Sequence, residues 1–280
     1  MAISVATNVG SLNAQRNLNR TQEGLSRNLS RLSSGLRINQ ASDDAAGLAI
    51  SEKLKGQIRS LAQAQRNSND AVSLLQTAEG AMNETSGLVI RMRELAVQSA
   101  NDTVGATERT FLNNELTELR KEVDRIAEVT EFNGTKLIDG AATSLTFQVG
   151  INNSTDDRIT IGINDMHAAA LGTSTAASLG AVNISTITGA QNALSVLDDA
   201  ITDISAGRAE IGAVQNRMYA SIQSLATAQE NLAAANSRIR DADIAQESAN
   251  LTKNSILMQA GVSVLAQANQ QPALALSLLG

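Results

Sequence analysis

The sequence predicts a mainly α fold: an elongated helical rod with a small β-hairpin region, whose two helical ends lie against each other. Three observations predict it. Apolar residues recur at alternating steps of three and four along most of the chain, the mark of helices that pack on helices. Aromatics are 1% of the 280 residues, so the apolar positions hold Ala, Leu, Ile and Val, side chains that suit thin helix–helix seams. The one proline, Pro272, stands close to the C-terminus, and nothing else forces a long helix to break.

The first helix covers residues 5–35. Its stripe reads Leu18, Gln22, Leu25, Leu29, Leu32 and Leu36, and Gly35 is placed to cap its end. Residues 36–43 form a turn. Ser42, Asp43 or Asp44 then caps a second helix over residues 44–100, with the acids at its positive end. The second helix carries Leu54, Ile58, Leu61, Val72, Leu75, Met82 and Val89 in its seam. A turn at Asn101–Gly105 leads to a third helix over 107–129, with Leu112, Leu116, Leu119, Val123 and Ile126 inward.

The period then changes to two. Leu145, Phe147, Val149 and Ile151 alternate, as do Ile159, Ile161 and Ile163, with a polar stretch between them, which predicts a β-hairpin. Residues 168–188 are rich in Ala, Ser, Thr and Gly with little periodicity and read as loosely ordered surface. A fourth helix starts near Ala190. One of its seam positions is apolar from Leu197 through Ile204, Ile211, Met218, Leu225 and Leu232 to Ile239, while the partner position carries Arg208, Gln215, Gln229 and Asn236. Polar residues in a seam lower stability and fix register. From Ile239 to Ile244 the step is five, which predicts a joint at Arg240–Asp243. The terminal stripe beyond it reads Ile244, Ser248, Leu251, Ser255, Met258, Val262, Leu265, Asn269, Pro272, Leu276 and Leu279. Only the opposite end of the chain, folded back, matches the length of these last helices, about 120 Å together.

Charge supports that pairing. Net charge is −6, yet residues 1–40 hold five arginines and one glutamate, whereas residues 241–280 hold three acids and one lysine. Exposed ion pairs contribute only about 0–1 kcal/mol each, so charge guides the pairing and burial drives it. Arg16, Arg20, Arg27 and Arg31 form a stripe, but an acidic chain without interleaved aromatics argues against nucleic acid as a partner. No apolar run is long enough to span a membrane. Residues 1–5 lack the basic and apolar regions of a cleavable signal, so export would need another route.

Reaction chemistry finds little to use. The chain has no cysteine, which excludes disulfides, thiolate metal sites and Cys nucleophiles. His167, the one histidine, is expected at the surface past the hairpin and not as a metal ligand. Asp43–Asp44 and Asp198–Asp199 fit helix capping and solvation better than acid–base catalysis. No catalytic residue, cofactor or metal is expected.

Several local sequences carry a family resemblance. Residues Met1–Asn8 with Ser11–Gln15, Leu29–Asn39, Ala41–Gly47, Arg93–Asn101, Phe132–Leu137, Ser237–Asp243 and Ala266–Gln270, in this order, resemble bacterial flagellin over about residues 1–165 and 188–280. The resemblance implies that residues 1–43 and 241–280 pair as an antiparallel coiled coil, the core of a filament. Residues 44–167 and 189–240 would form a helical rod domain with the hairpin, and 168–188 a short variable surface segment. Leu18, Leu25, Leu29, Leu32, Leu36, Ile244, Leu251, Met258, Val262 and Leu265 would serve filament-core assembly. The implied role is a structural subunit that polymerises into the flagellar filament, leaves by the flagellar type III route and resides outside the cell. The hook–filament junction protein of the same family is the alternative. Implied partners are many copies of the chain, the flagellar cap and hook-junction proteins, an export chaperone at the C-terminal region, and an animal Toll-like receptor reading Arg91, Leu95 and Glu115.

Overall fold

The computed structural model describes residues 7–142, 144–173 and 177–277. In chain order these form α1 (Val9–Ser34), α2 (Ala45–Ser99), α3 (Ala106–Val129), β1 (Glu131–Phe132), β2 (Thr135–Lys136), β3 (Leu145–Gln148), β4 (Arg158–Ile161), a 3-10 turn (Leu179–Ala181), α4 (Ile187–Arg240) and α5 (Ile244–Ser277). Packing groups residues 1–58 with 230–280 as one unit and 59–229 as another. The division falls inside α2 and α4.

In the first unit α1 and α5 run antiparallel. Asn8 meets Ala268, Gly24 meets Asn254 and Arg31 meets Glu247. Gly35 ends α1 in the left-handed conformation (φ 70°), and its N–H reaches the Arg31 carbonyl at 2.8 Å. The expected joint at 240–243 is present and is paired with the turn after α1. Leu36 and Asp241 bridge, the Arg37 N–H donates to Arg240 O at 2.7 Å, and the Ala242 N–H donates to Gly35 O at 2.9 Å. Each break thus answers backbone groups that the other leaves open. Of the three candidate caps, Asp44 takes the role: its Oδ1 accepts the Gly47 N–H at 2.8 Å. Gly47 leaves room for both the cap and the buried Ile38, whose Cδ1 would lie 2.8 Å from a Cβ at that position.

The second unit has the continuous apolar core. Leu75, Met82, Val89, Met92 and Leu95 of α2 meet Leu116 and Val123 of α3 and Leu197, Ile204, Ile211 and Met218 of α4. The apolar column read from α4 is thus inward over this unit. The turn between α2 and α3 is held by the buried Arg109, whose guanidinium donates to Ser99 O and Asn101 O, both at 2.9 Å, carbonyls at the negative end of α2. The β3–β4 hairpin pairs Leu145 with Ile161 and Gln148 with Arg158 and turns Ile159 and Ile161 into the core. A second hairpin, β1–β2, was not expected. Asn133 and Gly134 form its two-residue turn with φ 50° and 77°, the geometry that an Asn-Gly pair favours.

Residues 168–188 correct the sequence reading. Ala168, Leu171, Leu179, Val182 and Ile184 are buried, so this segment is a plug in the core and not a loosely ordered surface; residues 174–176 lie outside the described residues. Side chains of the surrounding helices hold its irregular backbone. Asp124 accepts from Ala168 N (2.8 Å), Asp203 from Gly172 N (3.0 Å) and Asn113 from Ile184 N (2.9 Å), while Arg120 donates to Gly180 O (2.6 Å) and Ser99 to Ile184 O (2.5 Å). Segments without secondary structure can be buried only when their polar backbone groups find such partners. His167, at the start of the plug, is half-buried, with Nδ1 2.6 Å from Asp165 Oδ1 and Nε2 3.7 Å from Glu128 Oε2.

Candidate assembly surface

The α1–α5 pair holds nine of the ten residues expected to serve assembly, and Leu36 lies in the turn after α1. The shielded positions on α1 are Ser11, Ala14, Leu18, Thr21, Leu25, Asn28 and Leu32, at unbroken steps of three and four. On α5 they are Glu247, Leu251, Asn254, Met258, Gly261, Leu265 and Ala268. Each helix therefore turns one large apolar column and one small or polar column toward its partner. Leu18, Leu25, Leu32, Leu251, Met258 and Leu265 are half-buried between the two helices, and Leu36 is half-buried in the turn.

Leu29 (52% exposed) and Val262 (53%), in the neighbouring columns, face outward, as does Ile244 (51%), which opens α5 at the end of the Leu251 column. Close approach explains the choice. A Cβ on Gly261 would lie 3.2 Å from Leu18 Cδ1, and one on Gly24 would lie 3.1 Å from the Asn254 amide. Small residues inside bring the helices close, and the larger apolar ones are left outside. Leu12, Ile256, Leu257 and Val264 also point outward, and Leu25, Leu29, Leu251, Thr252, Ser255 and Ile256 line an open apolar groove along the pair. The expected seam position Leu279 lies outside the described residues, as do the side chains of Pro272 and Leu276.

A polar cluster sits in the seam. Arg31 Nη1 donates to the buried Glu247 Oε1 at 3.1 Å, and Arg31 Nη2 lies 4.0 Å from Asp43 Oδ1. Asn28, also buried, has its amide oriented by its neighbours: it donates to Glu247 Oε2 at 3.2 Å and accepts from Asn254 Nδ2 at 3.1 Å. Asp43 accepts the backbone N–H groups of Asn39 (3.1 Å) and Gln40 (3.2 Å). Those two bonds, with Arg31 and Arg27 nearby, hold its carboxyl below the ordinary value of 3.8. The lowered value means that Asp43 stabilises the turn fully above pH 3.8 and that this contribution is lost as pH falls through the folded-state value. Thermal unfolding followed between about pH 2 and pH 7 should show the wild type ahead of Asp43→Asn at the upper end and the gap closing below the ordinary carboxylate range. A gap that stays constant with pH would refute this role.

In the second unit Arg91 and Glu115 are exposed and paired, with Arg91 Nη2 2.9 Å from Glu115 Oε1, and Glu94 joins them at 2.8 Å. The salt-bridge bonds to Glu94 and Glu115 push the Arg91 guanidinium further above its ordinary range. Leu95 is 1% exposed and belongs to the apolar core of this unit, so it presents no surface of its own. Asp198 pairs with Arg93 at 2.6 Å, a surface ion pair and not half of an acid–base couple. Among the described residues no group of three His, Asp or Glu side chains is placed to hold a metal ion. No helix among them is long and apolar enough to cross a membrane.

Sequence reasoning missed Asn8, Asn28, Asn254 and Gly261. Their signal was available: Glu247, Asn254, Gly261 and Ala268 recur at steps of seven, a small or polar column beside the apolar ones.

Paired helical ends and a surplus of outward apolar side chains among the described residues are features of a structural, self-associating class of protein. Comparison with known proteins makes the class specific. The pattern of the bacterial flagellin N-terminal helical region matches residues 5–143, and that of the bacterial flagellin C-terminal helical region matches 194–279. The flagellin of Bacillus subtilis (strain 168) is 46% identical over 300 residues, covering 97% of this chain and 98% of that protein. The flagellin of Halalkalibacterium halodurans is 45% identical over 272 residues, with the same coverage of each. A solved structure titled as a putative flagellar hook-associated protein from Vibrio parahaemolyticus shares the fold at a TM-score of 0.58. It is 15% identical and covers 71% of this chain and all of that one. The chain belongs to the bacterial flagellin family and is a structural protein, not an enzyme.

Proposed function

We infer that this chain is a structural subunit that polymerises into the bacterial flagellar filament and serves motility, and that the outward apolar columns of α1 and α5 are where copies meet. The observation that carries the second point is the exposure of Leu12, Leu29, Ile244, Ile256, Leu257, Val262 and Val264 on one helical pair. A Leu, Ile or Val side chain gains about 1.5–3 kcal/mol on full burial, and two paired helices offer no further surface to supply it. The half-buried Leu18, Leu25, Leu32, Leu36, Leu251, Met258 and Leu265 act in the same assembly by holding the pair together.

The reading puts the working location outside the cell, in the filament, and the name flagellin carried by the relatives supports it. The finer reading is export through the flagellar type III route, with a chaperone covering the exposed face of α5 beforehand and contact with the cap and hook-junction proteins at the ends of the polymer. An animal Toll-like receptor would read Arg91 and Glu115, with Leu95 packed in the core of that unit. Electron microscopy of the purified chain tests the main reading: long filaments are expected, and a protein that never grows beyond short oligomers would fit the hook–filament junction role instead. Receptor-reporter cells test the last point, since Arg91→Ala should lower the response to soluble protein, and an unchanged response would remove this contact.

A further inference from the structure

Pro272 lies within α5, which continues to Ser277. In an α-helix the carbonyl of residue 268 accepts the N–H of residue 272, and proline has none to give. The Ala268 carbonyl is nevertheless bonded: Asn8 Nδ2 donates to it at 2.7 Å from across the helical pair. The other end of the same amide, Oδ1, accepts the Ser11 N–H at 3.0 Å and caps α1. One turn into α1, Ser11 Oγ meets Asn269 Oδ1 at 2.7 Å.

We propose that Asn8 is the register-determining residue of the α1–α5 pair, because its amide fills the hydrogen-bond vacancy that Pro272 opens at Ala268. A heptad seam tolerates a slip of seven residues, since Leu columns meet Leu columns again. Pro272 is the chain's one proline, so within the body of α5, ahead of its last turn, one carbonyl is released from its own helix, and the register shown brings Asn8 to it; a slip of one heptad to Gly261 would meet a carbonyl that keeps its helical N–H. The polar cluster of Asn28, Arg31 and Glu247 fixes the opposite end of the pair. The proline interruption is on this account a mark that the partner helix reads.

The proposal rests on the filament-subunit reading, and the test separates the two. The chain has no cysteine, so thiols can be added cleanly. Ser11→Cys with Asn269→Cys reports the native register, and Ser11→Cys with Val262→Cys reports a slip of one heptad, each cross-linked with copper–phenanthroline in assembled full-length protein. Asn8→Asp keeps the capping oxygen and loses the donor, so it should shift the native-to-slipped ratio toward the slipped product by roughly threefold to tenfold, the factor expected from one net hydrogen bond. Pro272→Ala returns an N–H to Ala268, so Asn8→Asp should change the ratio far less in that background. Should Asn8→Asp alone fail to assemble, recovery of assembly by added Pro272→Ala supports the proposal, and continued failure of the double variant overturns it. An unchanged ratio in Asn8→Asp, or an equal change with and without Pro272, also overturns it. Absence of filaments from the unaltered chain would count against the polymer reading alone, because the cross-linking ratio can still be read on the soluble chain.

Discussion

Ile256→Asp with Val262→Asp is expected to abolish filament growth while leaving the second unit folded. Both side chains face outward on α5, at 60% and 53% exposure, so in a single chain the aspartates remain in water. Surface substitutions of that kind usually change stability by no more than about 0.5 kcal/mol. In a polymer that covers this face, two carboxylates would lose their hydration with no partner, at a cost of several kcal/mol each. Assembly multiplies that cost over every contact, so the effect should read as loss of polymer and not as weakened polymer. Electron microscopy and sedimentation measure the loss, and thermal unfolding of the soluble chain checks the fold. Normal filaments from the double variant would show that this face of α5 stays open to solvent after assembly.

Leu179→Ala is expected to destabilise the second unit by about 2–5 kcal/mol, the range for removing a fully buried leucine and leaving a cavity. Leu179 is 0% exposed and sits in the 3-10 turn of the plug, between α3 and α4 anchors such as Arg120 and Asp203. A loosely ordered surface segment would lose almost nothing on the same change. Thr173→Ala, exposed in the same segment, serves as the control and should stay within about 0.5 kcal/mol. Chemical denaturation of the two variants against the wild type decides between plug and surface. Equal stability of Leu179→Ala and the wild type would contradict its burial.

The helices were legible because their cause is local. The Leu197-to-Ile239 column, the Gly35 cap and the five-residue step at Ile239–Ile244 each declare a helix or its end within a few residues. The plug was not legible for the opposite reason. Its apolar residues are spaced by no period, and what permits their burial lies far along the chain, in Asn113, Asp124 and Asp203. The β1–β2 hairpin had a signal, Asn133-Gly134, but strands of two residues show no alternation.

The packing of the helical pair was half legible. A stripe two columns wide was visible on both terminal helices. Which column joins the leucines in facing the partner depends on how closely the backbones approach, and Gly24 and Gly261 favour the small or polar one. Leu95 illustrates the same limit. A motif can place a residue on the correct helix, but only packing tells that Arg91 and Glu115 meet the solvent while Leu95 enters the core.

The stitch between Leu36–Arg37 and Arg240–Ala242 constrains how this chain can change over generations. Two interruptions roughly two hundred residues apart share one set of backbone partners. Lengthening either by one residue would strand amides on both, so the pair should drift in length only in concert. Side chains there remain free to vary wherever the main chain alone supplies the link.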